Sequence, residues 1–125
     1  MGNAPKTEEG KDSEWIPRIG SLWKYMVPRY MIPKKSPCRV IQIHFSSHSF
    51  FGDGTSIEEL TKKGIETGKE YYETSKLVLP GEHVMVIDAF SYQERVYARV
   101  IWKERVGDIL GVTVRYWDSI FELVR

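Results

Sequence analysis

From Lys76 to Arg125, apolar residues recur in short runs separated by turn-forming residues. That is the pattern of successive β-strands rather than of helices. Val84 to Ala89 reads as a strand buried on both faces near its start, and Val96 to Trp102 as another. Val112 to Trp117 alternates as a third, with Gly107 and Gly111 bracketing a bend before it. Leu77–Leu79 leads into a Pro80-Gly81 turn. Asp118–Ser119 makes another turn, and Ile120–Val124 closes the chain. Earlier, Ser21 to Val27 reads as a first strand and Arg39 to Phe45 as a second. Short strands at such spacing bury a core only by closing on themselves, as a small barrel or sandwich.

The intervening stretches are of a different kind. Pro28, Pro33 and Pro37 break any regular element. Ser46 to Thr55 is a loop. Ser56-Ile57-Glu58-Glu59 then has capping-box form, in which the Ser hydroxyl accepts from the amide three residues on and Glu59 reaches back. The pattern predicts a short helix from about Ile57 to Lys63, closed by Gly64. It does not fix the state of residues 64–75. Residues 1–14 are polar, with Pro5 and Gly10, and read as a disordered tail. One domain over 15–125, with an insertion about 46–75, is the expected organisation.

Composition narrows the function classes. Hydrophobic residues make up 42% of the 125, enough for a packed core, and the net charge is +1. No global field therefore draws the chain to nucleic acid or an anionic membrane. No apolar run approaches the ~20 residues of a membrane helix, and the N-terminus lacks the apolar stretch of a secretory signal. The start MGNAPKT resembles a myristoylation signal but has Lys6 where Ser or Thr belongs. The single cysteine, Cys38, excludes an internal disulfide and suits a cytoplasmic protein. It reads as a small core residue rather than a nucleophile.

Three blocks carry a family resemblance. Ser21-Leu22-Trp23-Lys24-Tyr25 looks like the first-strand signature Ala-Leu-Tyr-Asp-Tyr. Leu77-x-Leu79-x-Gly81-Glu82 followed by Val84-x-Val86, and the closing Ser119-Ile120-Phe121-Glu122-Leu123-Val124, resemble the strand entry and the Asn-Tyr-Val-Glu-Leu-Ile ending of the same family. The chain over 21–26 and 76–125 thus resembles a Src-homology-3-like small β-barrel. The resemblance implies a mostly β fold with an inserted loop and short helix. Lys24 replaces that signature's Asp, and Trp117 and Ile120 stand where the family's peptide groove has proline and tyrosine. What is implied is the architecture, not Pro-x-x-Pro recognition. Gly81-x-x-Val84-x-Val86 is also similar to Kyrpides–Ouzounis–Woese and Tudor-like barrels.

No catalytic motif emerges. His44 and His48 are four apart but straddle a strand end, without the Glu of a helix-borne zinc site; Asp53 and His83 could join only through tertiary contact. Ser46–Ser47–His48–Ser49 lacks a nucleophile-elbow setting, and Gly52-Asp53-Gly54 lacks the Lys-Ser/Thr of a phosphate loop. No enzyme, cofactor or metal is therefore expected. Residues 21–50 contain Lys24, Arg29, Lys34, Lys35 and Arg39 and no acid, interleaved with Trp23, Tyr25 and Tyr30; residues 51–80 carry six acids against four bases. Such asymmetry suits a charged protein partner. The expectation is a non-catalytic module that docks to a protein, in the style of a phage or viral accessory protein acting on a host factor. The alternative is a nucleic-acid-binding barrel using the basic 24–39 stretch. Candidate contact residues are Trp23, Tyr25, Tyr30, Lys34, Lys35, Phe50, Phe51, Trp102 and Trp117.

Overall fold

The computed structural model describes residues 15–26, 41–45, 55–68 and 71–125, and its seven strands join in one antiparallel sheet. In chain order the elements are β1 (Leu22–Tyr25), β2 (Gln42–Phe45), α1 (Ile57–Thr67), β3 (Thr74–Leu77), β4 (His83–Tyr92), β5 (Arg95–Trp102) and β6 (Arg105–Thr113). A 3-10 turn (Val114–Tyr116), the short helix α2 (Trp117–Ile120) and β7 (Phe121–Leu123) follow. Across the sheet the neighbours run β3-β2-β6-β5-β4-β1-β7.

The centre is the meander β4-β5-β6. Alternation decides its faces: Val96, Ala98, Val100 and Trp102 of β5 point inward and are buried, and Val84 and Val86 do the same on β4. Two-residue loops join the strands. Gln93 and Glu94 have φ of 50° and 65°, Lys103 and Glu104 have 50° and 66°. Positive φ at both central residues is the type I′ geometry, whose twist matches that of the flanking strands. Neither loop uses the Asn-Gly that favours it.

Two bulges bend this meander. Pairing slips between Val86 and Asp88, leaving Ile87 extra, and again between Val96 and Ala98 of β5, opposite Val112 and Ile109. At the second slip Gly111 takes φ 73°, a conformation that glycine adopts without strain. Bulges increase twist, and the sheet curls until β2, near one end, and β1 and β7 at the other share one core. Trp117 lies at the heart of it, fully buried, with the rings of Trp15, Trp23 and Phe121 at 6.3, 5.7 and 4.4 Å.

Several expectations change. The barrel does not close: among the described residues β3 and β7 remain edges, and Val78, Val114, Trp117 and Ile120, outside the strands, complete the core instead. Gly107 and Gly111 lie inside β6 rather than bracketing a bend, and the strand expected over Val112–Trp117 gives way at Val114 to helical turns that run to Ile120. The helix near residue 57 has its capping box but runs through Gly64 to Thr67. Gly68, at φ 68°, supplies the left-handed cap one turn later and donates its N–H to Gly64 O. Residues 64–75 resolve into the end of α1 and the start of β3, with 69–70 outside the described residues. The tail 1–14 and Cys38 also lie outside them.

Candidate functional site

The inner face of the sheet is core, so any site must lie on the outer face or at an edge. A transverse row of polar residues crosses the outer face. Asp88 pairs with Arg99, Arg99 with Asp108, Asp108 with His44, and His44 with Ser75, on β4, β5, β6, β2 and β3 in turn. Arg99 Nε donates to Asp108 Oδ1 at 2.8 Å and its Nη2 to Oδ2 at 3.1 Å, and both residues are buried. A buried ion pair needs its remaining valences filled. Tyr72 Oη donates to Asp108 Oδ2 at 2.6 Å, and Arg99 Nη1 donates to Thr55 O. Burial, reinforced by the Asp108 carboxylate, pushes the Tyr72 phenol far above its usual range and keeps it the donor.

This row pins the inserted stretch to the sheet at both ends. Asp88 Oδ2 accepts from the Ile57 amide at 3.0 Å, so the sheet caps the first turn of α1 beside Ser56. Ile57 and Leu60 are buried beneath the helix. An apolar cavity of about 300 Å³ remains between α1 and the sheet, walled by Leu60, Ile65, Tyr71, Tyr72, Tyr97 and Leu110. Burial raises the Tyr97 phenol as well.

The second feature is a groove of about 410 Å³ between β2 and β6. Among the described residues the two strands pair only at His44 and Asp108, yet β6 continues to Thr113. Beyond that pair they part. Ile41, Gln42 and His44 line one wall, Ile109 to Thr113 the other, with Arg95, Tyr116 and Ile120 at the rim. Arg95 Nη1 donates to Gly111 O at 3.1 Å across the bulge. Tyr116 is 47% exposed, and the His44 ring packs edge-on to Tyr72 at 5.8 Å.

A third surface is an apolar row parallel to the polar one. Leu22, Met85, Ile101 and Val106 are successive partners across β1, β4, β5 and β6, and Val124 donates its N–H to Leu22 O beside them. Met85 is 38% exposed.

The expected contact residues fare differently. Trp23, Tyr25, Trp102 and Trp117 are buried core residues and offer no exposed ring, a correction that follows from their inward positions on β1, β5 and α2. Trp23 Nε1 donates to Ser21 Oγ and Trp102 Nε1 to Glu82 Oε1, so these indole N–H groups are satisfied internally. Tyr30, Lys34, Lys35, Phe50 and Phe51 lie outside the described residues, as do His48 and Asp53. Lys24 sits half-buried opposite Glu122 and His83, and the rest of the basic stretch that is numbered 27–39 is not described. Among the described residues no three His, Cys, Asp or Glu converge as metal ligands, and no helix is long and apolar enough to cross a membrane. No protein-family model, no curated protein and no solved structure matches this chain.

Proposed function

We propose that the protein is a non-catalytic binding module that docks to a protein partner by taking an extended segment of it into the groove between β2 and β6. One observation carries this reading: among the described residues β6 pairs with β2 at Asp108 alone, and it runs on as far as Thr113. In an antiparallel strand alternate residues turn their N–H and C=O to opposite sides. Past Asp108, the groups of β6 not turned toward β5 face the groove. Main-chain groups of a visiting strand satisfy such an edge, and its alternate side chains meet the walls. Leu110, Thr113 and the exposed Tyr116 line the groove where those side chains would lie.

The same reading takes the sheet as a Src-homology-3-like one left open. What supports it is where the resembling stretches fall. Residues 21–26 and 76–125 supply five successive neighbours, β7-β1-β4-β5-β6, while β2, α1 and the first half of β3 come from the stretch between them and lie outside that set. The groove is then the seam between those five strands and β2.

Panning random displayed peptides against the full chain tests the function, with amide hydrogen exchange locating the binders. Enriched peptides are expected to protect alternate amides between Ile109 and Thr113. Binders that instead protect the Met85–Ile101 row, or no enrichment at all, would remove the groove as the docking site.

A further inference from the structure

We infer that the segment this groove takes is acidic: an extended stretch of a partner protein with carboxylates on alternate residues, read by Arg95 and His44. The inference rests on the groove being the docking site, and it names what docks there.

Charge complementarity carries it. Among the described residues lining the groove, Arg95 is a cation, the His44 imidazole can donate an N–H, and none is a carboxylate. The nearest acid in the polar row, Asp108, is fully buried and already bound by Arg99 and Tyr72, so it presents no charge to a visitor. Arg95 commits one N–H to Gly111 O. A guanidinium has five N–H donors in a planar fork, which leaves a face suited to a carboxylate.

Spacing adds a register. Arg95 is held at Gly111, and His44 stands opposite Asp108. Those points on β6 are about 10 Å apart at ~3.3 Å per residue, within reach of acids two to four residues apart on one face of a visiting strand. The stretch numbered 27–40, outside the described residues, carries Arg29, Lys34, Lys35 and Arg39 and no acid, a composition that does not complement a cationic groove.

The test uses two synthetic peptides of equal length with blocked ends, alternating Val-Glu and Val-Lys, titrated into the full chain by fluorescence anisotropy at about 150 mM salt. The acidic peptide is expected to bind at least tenfold more tightly than the basic one. Arg95→Glu is expected to abolish or reverse the preference, whereas Arg95→Lys keeps most of it, which separates lost charge from lost folding. N-methylation of alternate peptide amides should weaken binding at least tenfold if main-chain pairing holds the segment. Equal affinities, a preference for the basic peptide, a preference that survives Arg95→Glu, or no binding by either at millimolar concentration would overturn the inference. Protection of the 109–113 amides by a neutral or basic peptide would overturn the acidic preference alone and leave the groove as a docking site. Gain of peptide binding on changing Tyr30, Met31 and Ile32 to Ser, with none in the parent chain, would assign the groove to the chain's own segment and overturn both.

Discussion

Arg99 and Asp108 face each other across β5 and β6, and their side chains meet through paired hydrogen bonds at 2.8 and 3.1 Å in a site closed to solvent. The pair does more than join two strands. Through Thr55 O and Tyr72 Oη it grips both ends of the inserted stretch, so the position of α1 depends on it.

Removing the cation alone should therefore be costly. Arg99→Met leaves Asp108 buried without its counter-ion, and about 3–5 kcal/mol of stability is expected to be lost. Replacing both, Arg99→Met with Asp108→Leu, should lose clearly less than the sum of the single changes. Urea midpoints of the single and double variants measure this. Additive losses would mean that the two side chains are not coupled.

Gly107 of β6 lies against the β2 side chains Ile43 and Phe45. A Cβ there would clash with Ile43 Cγ2 and stand 2.9 Å from Phe45 Cε1. Both neighbours are core residues with little room to yield. Gly107→Ala is expected to cost about 1–3 kcal/mol, as overpacking does, and to shift the β2 amide resonances. An unchanged thermal midpoint would show that β2 does not press on β6 at this point.

The Gln93-Glu94 turn works against its residues. Both sit at positive φ, where Asn and Gly are at ease and other side chains are strained. Replacing them by Asn-Gly should raise stability by about 0.5–1 kcal/mol without altering the groove. A fall in the denaturation midpoint would show that the turn is not of the type I′ form.

Glu82 ties the other hairpin to the rest of the sheet. Its carboxylate accepts from the Leu79 amide and the Trp102 indole and pairs with Lys103 at 2.9 Å. The backbone N–H of Leu79 first, and then Lys103, hold its pKa below the ordinary value of 4.5. A lowered folded-state pKa contributes stability above the ordinary value, and that contribution is lost as pH falls through the lowered one. The parent chain should thus be more stable than Glu82→Gln at pH 7, and the gap should close in acid. A gap that persists at pH 2 would place the effect in packing rather than charge.

Much of this architecture is legible in the residues, and its omissions have physical causes. Alternation at Val84–Val86 and Val96–Trp102 reveals the central strands because one face of each is buried. Ser56 and Glu59 announce the start of α1, since capping is a local interaction. The end of that helix is misplaced because Gly64 and Gly68 are equally plausible stops by composition, and only the backbone shows which is left-handed. The 3-10 turn and α2 are hidden by the alternating run Val112–Trp117, which imitates a strand while packing Val114 and Trp117 into the core. Trp23, Tyr25, Trp102 and Trp117 attract notice as aromatics, yet a small curled sheet needs large side chains to fill its interior. The polar row is the chief omission. Asp88, Arg99 and Asp108 each interrupt an apolar strand-like run, and that interruption was the available signal. Their alignment depends on bulges and register, which pairing between distant residues sets. The groove has no local signature at all, since it arises where two strands far apart in the chain separate.

The openness of β6 beyond Asp108 is the central claim, and residue-resolved amide hydrogen exchange on the free chain tests it most directly. Amides of β6 turned toward β5 are expected to exchange slowly throughout. Those turned toward β2 should be protected up to Asp108 and exchange rapidly at alternate positions from Ile109 to Thr113, then become protected when an extended peptide binds. Uniform slow exchange from Ile109 to Thr113 in the free chain would contradict the account, because that edge would already be covered.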